Sequence, residues 1–188
     1  MSPSADSKID MTQPRKLDRV EMHSTFTAFS DDELLLLRAG LNAEMRKRGI
    51  AFSVGEVGER LAIEHFNTTT KLPKLQLASA GTKNVDANSR TGERYSIKTV
   101  CNAKKTGTIY PDAQDQDKQL FEHLLIVKLA EDWSLQAIYQ FTWADFVRVR
   151  SWDTRMSAWY VGCSASTLRQ ALRVFPVNEA TKGSPKAR

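Results

Sequence analysis

The sequence is short of several things, and each shortage narrows what the chain can be. It carries two cysteines in 188 residues, Cys101 and Cys163, and they form no C-x-x-C pair. In a chain without a secretory signal pattern, two such thiols are read as reduced side chains rather than as a disulfide framework or a zinc site. No apolar run approaches the ~18 residues that a membrane-spanning helix needs. The first residues, Met1-Ser2-Pro3-Ser4-Ala5-Asp6, carry no signal-peptide pattern. A cytoplasmic protein with no membrane partner is therefore expected. Internal repeats and low-complexity runs are also missing, which excludes solenoids and arrays.

What is present describes an ordinary globular chain. Hydrophobic residues make up 41% and charged residues 26%, as in soluble domains generally. The length is enough for one domain with a real core. Residues 1–28 are polar and weakly periodic and are expected to form a flexible arm. Residues 29–177 read as a single domain, and 178–188 as a basic tail. With 27 Lys and Arg against 22 Asp and Glu, the net charge is +5. That sign suits a polyanion such as nucleic acid, because cationic surfaces release its counterions.

Three capping boxes mark helix starts. Ser30-Asp31-Asp32-Glu33 opens a helix over residues 34–48 with Leu34, Leu37, Leu41 and Met45 on one stripe. Its Arg38, Arg46, Lys47 and Arg48 can touch phosphates, although cations at a helix C-terminus also simply complement the dipole. Ser53-Val54-Gly55-Glu56 opens a second helix to about residue 66, with Val54, Val57, Leu61 and Phe66 inward and Glu59 and Glu64 flanking them. Thr142-Trp143-Ala144-Asp145 resembles a third start. Residues 75–79, 85–87, 94–100 and 134–141 read as strands. The run His123-Leu124-Leu125-Ile126-Val127-Lys128-Leu129 is a strand buried on both faces. Residues 112–122 and 164–173 are expected to be helical, and Trp133, Trp143, Trp152, Trp159 and Tyr160 to pack in the core.

The chemistry gathers in residues 83–112. Asn88-Ser89-Arg90-Thr91-Gly92 is a turn between two strands. In the second strand Tyr95, Ile97 and Thr99 point one way, and Ser96, Lys98 and Val100 the other. A hairpin brings Asp86 beside the Ser96 and Lys98 face, making a carboxylate, a hydroxyl and an ammonium neighbours. A carboxylate there is a hard ligand for Mg²⁺. A lysine beside it can position the attacking water and stabilise charge on a phosphorane. Asp, Ser and Lys on adjacent strands also occur as a plain solvated sheet face.

Asp86, nine further residues, and Ser96-Ile97-Lys98 together resemble the PD-(D/E)xK nuclease superfamily, the fold of many restriction endonucleases. The pattern departs from that family at Asn84-Val85, where proline is usual, and at Ser96, where a second acid is usual. It is closer to a variant with an (S/T)-x-K tripeptide, in which the acid moves to the following helix about fourteen residues beyond the lysine. Asp112 stands at that interval from Lys98. The resemblance covers residues 53–143. It implies an α/β fold: a core of helix, three strands, helix and strand, with a mixed central sheet flanked by helices, an N-terminal helix and a C-terminal extension.

By resemblance, Asp86, Asp112 and Glu59 would hold Mg²⁺, with Glu64 in reserve for Glu59. Lys98 would activate water, and Ser96 would hydrogen-bond beside the metal. The polar loop after Lys98, with Asn102, Lys104, Lys105, Thr106 and Thr108, suits contact with double-stranded DNA. The implied function is that of a type II restriction endonuclease, commonly a homodimer on palindromic DNA. Two other readings stay open: a nuclease-fold protein that binds DNA without cutting, and a protein-interaction module whose basic charge is incidental.

Overall fold

The computed structural model describes residues 25–50, 53–79 and 81–176. Most of the expected arm and all of the expected basic tail lie outside them. Two compact units divide the chain, residues 1–50 and 51–188.

In the first unit, helix α1 spans Asp31–Lys47, and its capping box forms as the sequence requires. Ser30 N–H donates to Glu33 Oε2 at 2.8 Å, and Glu33 N–H donates back to Ser30 Oγ at 3.4 Å. The sequence sets Leu34, Leu37, Leu41 and Met45 on one apolar stripe of this helix. No residue of α1 is buried.

The second unit is mixed α/β. Its elements are α2 (Val54–Thr68), β1 (Leu75–Leu77), β2 (Ala87–Ser89), β3 (Arg94–Cys101), β4 (His123–Leu129), β5 (Leu135–Thr142), α3 (Trp143–Val149), β6 (Arg150–Asp153), β7 (Ala158–Val161), α4 (Ala165–Leu168) and β8 (Leu172–Phe175). Six strands form one sheet in the order β1-β2-β3-β4-β5-β8, and β6 and β7 form a separate ribbon. The sheet is mixed because β3 and β4 run parallel while every other pair is antiparallel.

The period of two along β4 accounts for the two-sided core. Leu125, Val127 and Leu129 belong to one apolar cluster with Ala62 and Phe66 of α2 and Tyr95 and Ile97 of β3. Leu124 and Ile126 belong to another, with Val100, Phe121, Phe141 and Phe146 of α3. Each fully buried side chain of this size contributes roughly 1.5–3 kcal/mol, so β3 and β4 are pinned from both sides. That rigid centre positions the site.

Two expected helices take other forms. Residues 112–122 form bends and one short turn at 116–117. They are tied by short-range bonds such as Asp112 Oδ1 accepting from Gln114 N–H and Asp115 Oδ1 accepting from Asp117 N–H. Aspartate side chains of this kind offer the backbone an alternative to the helical ladder. The crossover between the parallel strands β3 and β4 is thus a long loop. Residues 164–173 give only the single turn of α4, after which the chain straightens into β8 and joins the sheet edge. Among the tryptophans, Trp143 and Trp159 pack against the second cluster, whereas Trp133 and Trp152 are exposed. Both cysteines are free.

Candidate active site

The site begins where β2 parts from β3. The two strands pair at Ala87 with Tyr95 and at Asn88 with Arg94, closed by a turn at residues 89–93 in which Gly92 has φ +88°. One residue further out, Asp86 N–H still donates to Tyr95 O at 2.8 Å, but its carbonyl has turned away to accept from Ala78 N–H at 3.0 Å. The Asp86 side chain fills the gap this leaves. Its Oδ2 accepts the Ile97 N–H at 2.5 Å, standing in for a strand carbonyl. A carboxylate that caps a ladder donor lies in the plane of the sheet, within reach of groups from both faces.

Ser96 and Lys98 approach it from one face. Ser96 is fully buried, and its hydroxyl donates to the same Asp86 Oδ2 at 3.3 Å. Lys98 Nζ stands 4.0 Å from that oxygen, with both side chains about one-fifth exposed. The juxtaposition expected from the hairpin is therefore present. Asp86 Oδ1 takes part in no hydrogen bond among the described residues.

Glu59 approaches on α2, and Gly58 is what lets it come so close. A Cβ on Gly58 would lie 2.0 Å from Thr99 Oγ1 and 2.8 Å from Thr99 Cβ. Thr99 also donates to Gly55 O at 3.3 Å. The helix thus lies directly on β3 through two glycines one turn apart. Glu59 is half-buried and its pKa is raised, first by burial and then by the Asp86 carboxylate, with Lys98 opposing and Glu56 adding to the rise. Glu64, the reserve, is exposed. Two carboxylates and one ammonium therefore share this end of the sheet.

Asp112 is placed differently from what the relocated-acid reading requires. Its Oδ2 pairs with Lys118 Nζ at 2.9 Å, and its Oδ1 accepts from Gln114 N–H at 3.0 Å and Asp115 N–H at 3.4 Å. These partners hold its pKa down at about 2, the Lys118 bond contributing most. No group of three acidic, histidine or cysteine side chains converges on one point among the described residues. Asp112 is thus held by partners within its own loop, where the helix expected over residues 112–122 does not form.

Asp86 and Glu59, which feel each other's charge, are the residues that could hold a divalent ion here. Asp86 and Glu59 offer hard oxygen donors, with Asp86 Oδ1 and the Glu59 carboxylate outside every hydrogen bond among the described residues. Mg²⁺ is usually held by one or two carboxylates, keeping several waters for substrate phosphate to replace. The donor set thus suits Mg²⁺ and falls short of an all-protein cage.

Of the loop residues expected to face DNA, only Thr106 is buried, while Asn102, Lys104 and Lys105 are exposed. Thr106 is buried, and its hydroxyl accepts from Val161 N–H at 3.0 Å. Lys105 pairs with Asp153 at 3.0 Å and lies 4.4 Å over the Tyr160 ring. Asn102 Nδ2 donates to Glu131 Oε1 at 2.8 Å. Backbone bridges from Lys105 to Gly162 and Ile109 to Trp159 sew the loop to β7. Thr108 is half-buried, and Asn102, Lys104 and Lys105 keep the accessibility that phosphate contact needs, the last two with a positive charge.

Sequence reasoning missed a clamp at the other end of β3. Arg94 Nη2 donates to Glu122 Oε1 at 2.7 Å and Arg94 Nε to Glu122 Oε2 at 3.0 Å, and Arg94 N–H also reaches Oε2 at 2.6 Å. This anchors the end of the long loop beside the start of β3. The pair is 28 residues apart, and no local pattern announces it.

No protein-family model matches the chain, and no curated protein matches it.

Proposed function

We propose that the protein is a magnesium-dependent endonuclease that hydrolyses DNA phosphodiesters, with Asp86 and Glu59 holding the ion and Lys98 at the attacking water. One observation carries this reading: the Asp86 carboxylate, bonded to Ile97 N–H, has Lys98 Nζ 4.0 Å away and Glu59 of α2 near enough to feel both charges. Bound there, Mg²⁺ would lower the pKa of a coordinated water and offset charge building on the phosphate. The protein's own groups do the rest. Ile97 N–H and Ser96 Oγ fix Asp86 Oδ2, so Oδ1 is the oxygen that would hold the ion. Lys98, at 4.0 Å from Asp86, is near enough to be oriented by it and loose enough to hold a water. Its ammonium also offsets negative charge in the transition state. Ser96 serves as a positioning residue, since a buried hydroxyl bonded to Asp86 orients the carboxylate. Asp112 has no part in the reaction.

A second reading rests on the same site. With only two carboxylates beside Lys98, the fold would bind duplex DNA through its positive charge without cutting it. Incubation with supercoiled plasmid and Mg²⁺ separates the two. Nicked or linear product is expected from the wild type, and a loss of roughly a thousandfold from Asp86→Asn and Lys98→Ala. An uncut plasmid with salt-sensitive retention on DNA would install the binding reading. Neither cutting nor retention would leave an interaction module.

A further inference from the structure

We propose that α1 is an interface between two copies of this chain, packed antiparallel about a two-fold axis near Gly40. The helix is properly capped, yet none of its residues is buried, and Leu35, Leu36 and Leu41 are 64%, 73% and 61% exposed. Scattered exposed leucines are normal, but a contiguous apolar face points to a partner. Here the face is continuous. Phe29, Glu33, Leu36, Leu37, Gly40 and Leu41 line one groove along the helix. Nothing lies within 4 Å of where a Cβ on Gly40 would be, so a second helix can approach closely at the centre.

The charges select the occupant. The first turn of α1 is acidic, with Asp31, Asp32 and Glu33, and the last turn is basic, with Arg46 and Lys47. Glu33 and Lys47 both lie seven residues from Gly40 and so fall on the groove's own side of the helix. In an antiparallel pair centred on Gly40, Glu33 of one copy meets Lys47 of the other, and symmetry repeats the contact. A parallel pair sets acid on acid and base on base. An unrelated acidic or basic helix would match one end and be repelled at the other. A segment ordered acid, apolar, base is complementary to itself reversed, which is what an isologous contact requires. At ~1.5 Å per residue the contact runs for roughly 25 Å. It does not depend on what the second unit catalyses.

Sedimentation of the full chain tests this apart from any activity. The wild type should show a concentration-dependent dimer. Leu36→Asp with Leu41→Asp should weaken it by about a hundredfold or more, because each change counts twice in a symmetric contact. Glu33→Lys should weaken it about tenfold, and Lys47→Glu likewise. Combining the two charge changes in one chain should bring the dimer back. Compared at concentrations where every chain is monomeric, urea unfolding of the leucine variant should be close to wild type, since α1 of a single chain buries nothing. A wild type that stays monomeric at all concentrations overturns the proposal, as does a dimer indifferent to the leucine changes. Half-swaps without effect, or a combined swap that fails to restore, overturn the antiparallel arrangement.

Discussion

Asp86 and Asp112 lie to either side of Lys98 in the sequence, and the fold treats their carboxylates in opposite ways. Asp112 has both oxygens occupied by a lysine and two turn amides, and its pKa falls to about 2. Asp86 spends one oxygen on a strand N–H and a serine, keeps its lysine at 4.0 Å, and has a second acid for a neighbour. Position in the sequence qualified both as metal ligands. Their surroundings separate them. An acid already satisfied by cations and amides gains little from a metal, which would have to displace those partners. Two acids held close with too little positive charge between them gain a great deal.

Cleavage assays on paired variants would break this comparison most sharply. Glu59→Gln is expected to reduce cleavage by about a hundredfold, while Asp112→Asn should stay within about threefold of wild type. The reverse pattern would return Asp112 to the site and remove Glu59. A smaller effect should come from the contact that seats Glu59. Gly58→Ala gains up to ~1 kcal/mol of helix propensity but sets a methyl against Thr99, and overpacking of this kind costs ~1–3 kcal/mol. With the full propensity gain, a net loss of up to about 2 kcal/mol in urea unfolding is expected, partly recovered by adding Thr99→Ala. Without that recovery, the close approach of helix to strand would not be what holds α2 in place.

Legibility followed the range of the interactions involved. Both capping boxes at Ser30 and Ser53 formed because each is complete within four residues. The run from His123 to Leu129 was readable as a doubly buried strand because its composition leaves no polar face. The neighbourhood of Asp86, Ser96 and Lys98 was readable because a tight turn fixes hairpin geometry. Residues 112–122 misled because their spacing permits a helix, while Asp112 and Asp115 can cap turns instead. Residues 164–173 misled for a tertiary reason, the open edge of β5 being available to Leu172–Phe175. The exposure of the α1 leucines was not legible either, since an apolar stripe says that a partner is needed and not where it sits. The in-plane role of Asp86 depends on where β2 leaves β3, which no residue in the hairpin encodes alone.

The smallest expected effect bears on the same contrast through stability and pH. The folded-state pKa of Glu59 is raised above 4.5, chiefly by burial and next by Asp86. The folded protein therefore holds this proton more tightly than the unfolded chain does. Stability from the protonated form is present at low pH and is lost as pH rises through the folded value. At neutral pH the ionised Glu59 works against the fold, so Glu59→Gln should raise the melting temperature. The gain should vanish below about pH 4, where the carboxyl is neutral in both states. Mg²⁺ supplies the missing positive charge by another route. It should raise the wild-type melting temperature at neutral pH and add much less to Glu59→Gln, whereas Asp112→Asn should keep the full magnesium response. A lower melting temperature for Glu59→Gln at neutral pH would mean that attraction to Lys98 outweighs burial and Asp86 together. In that case the carboxylate is already balanced, and the difference from Asp112 on which a metal would act is gone.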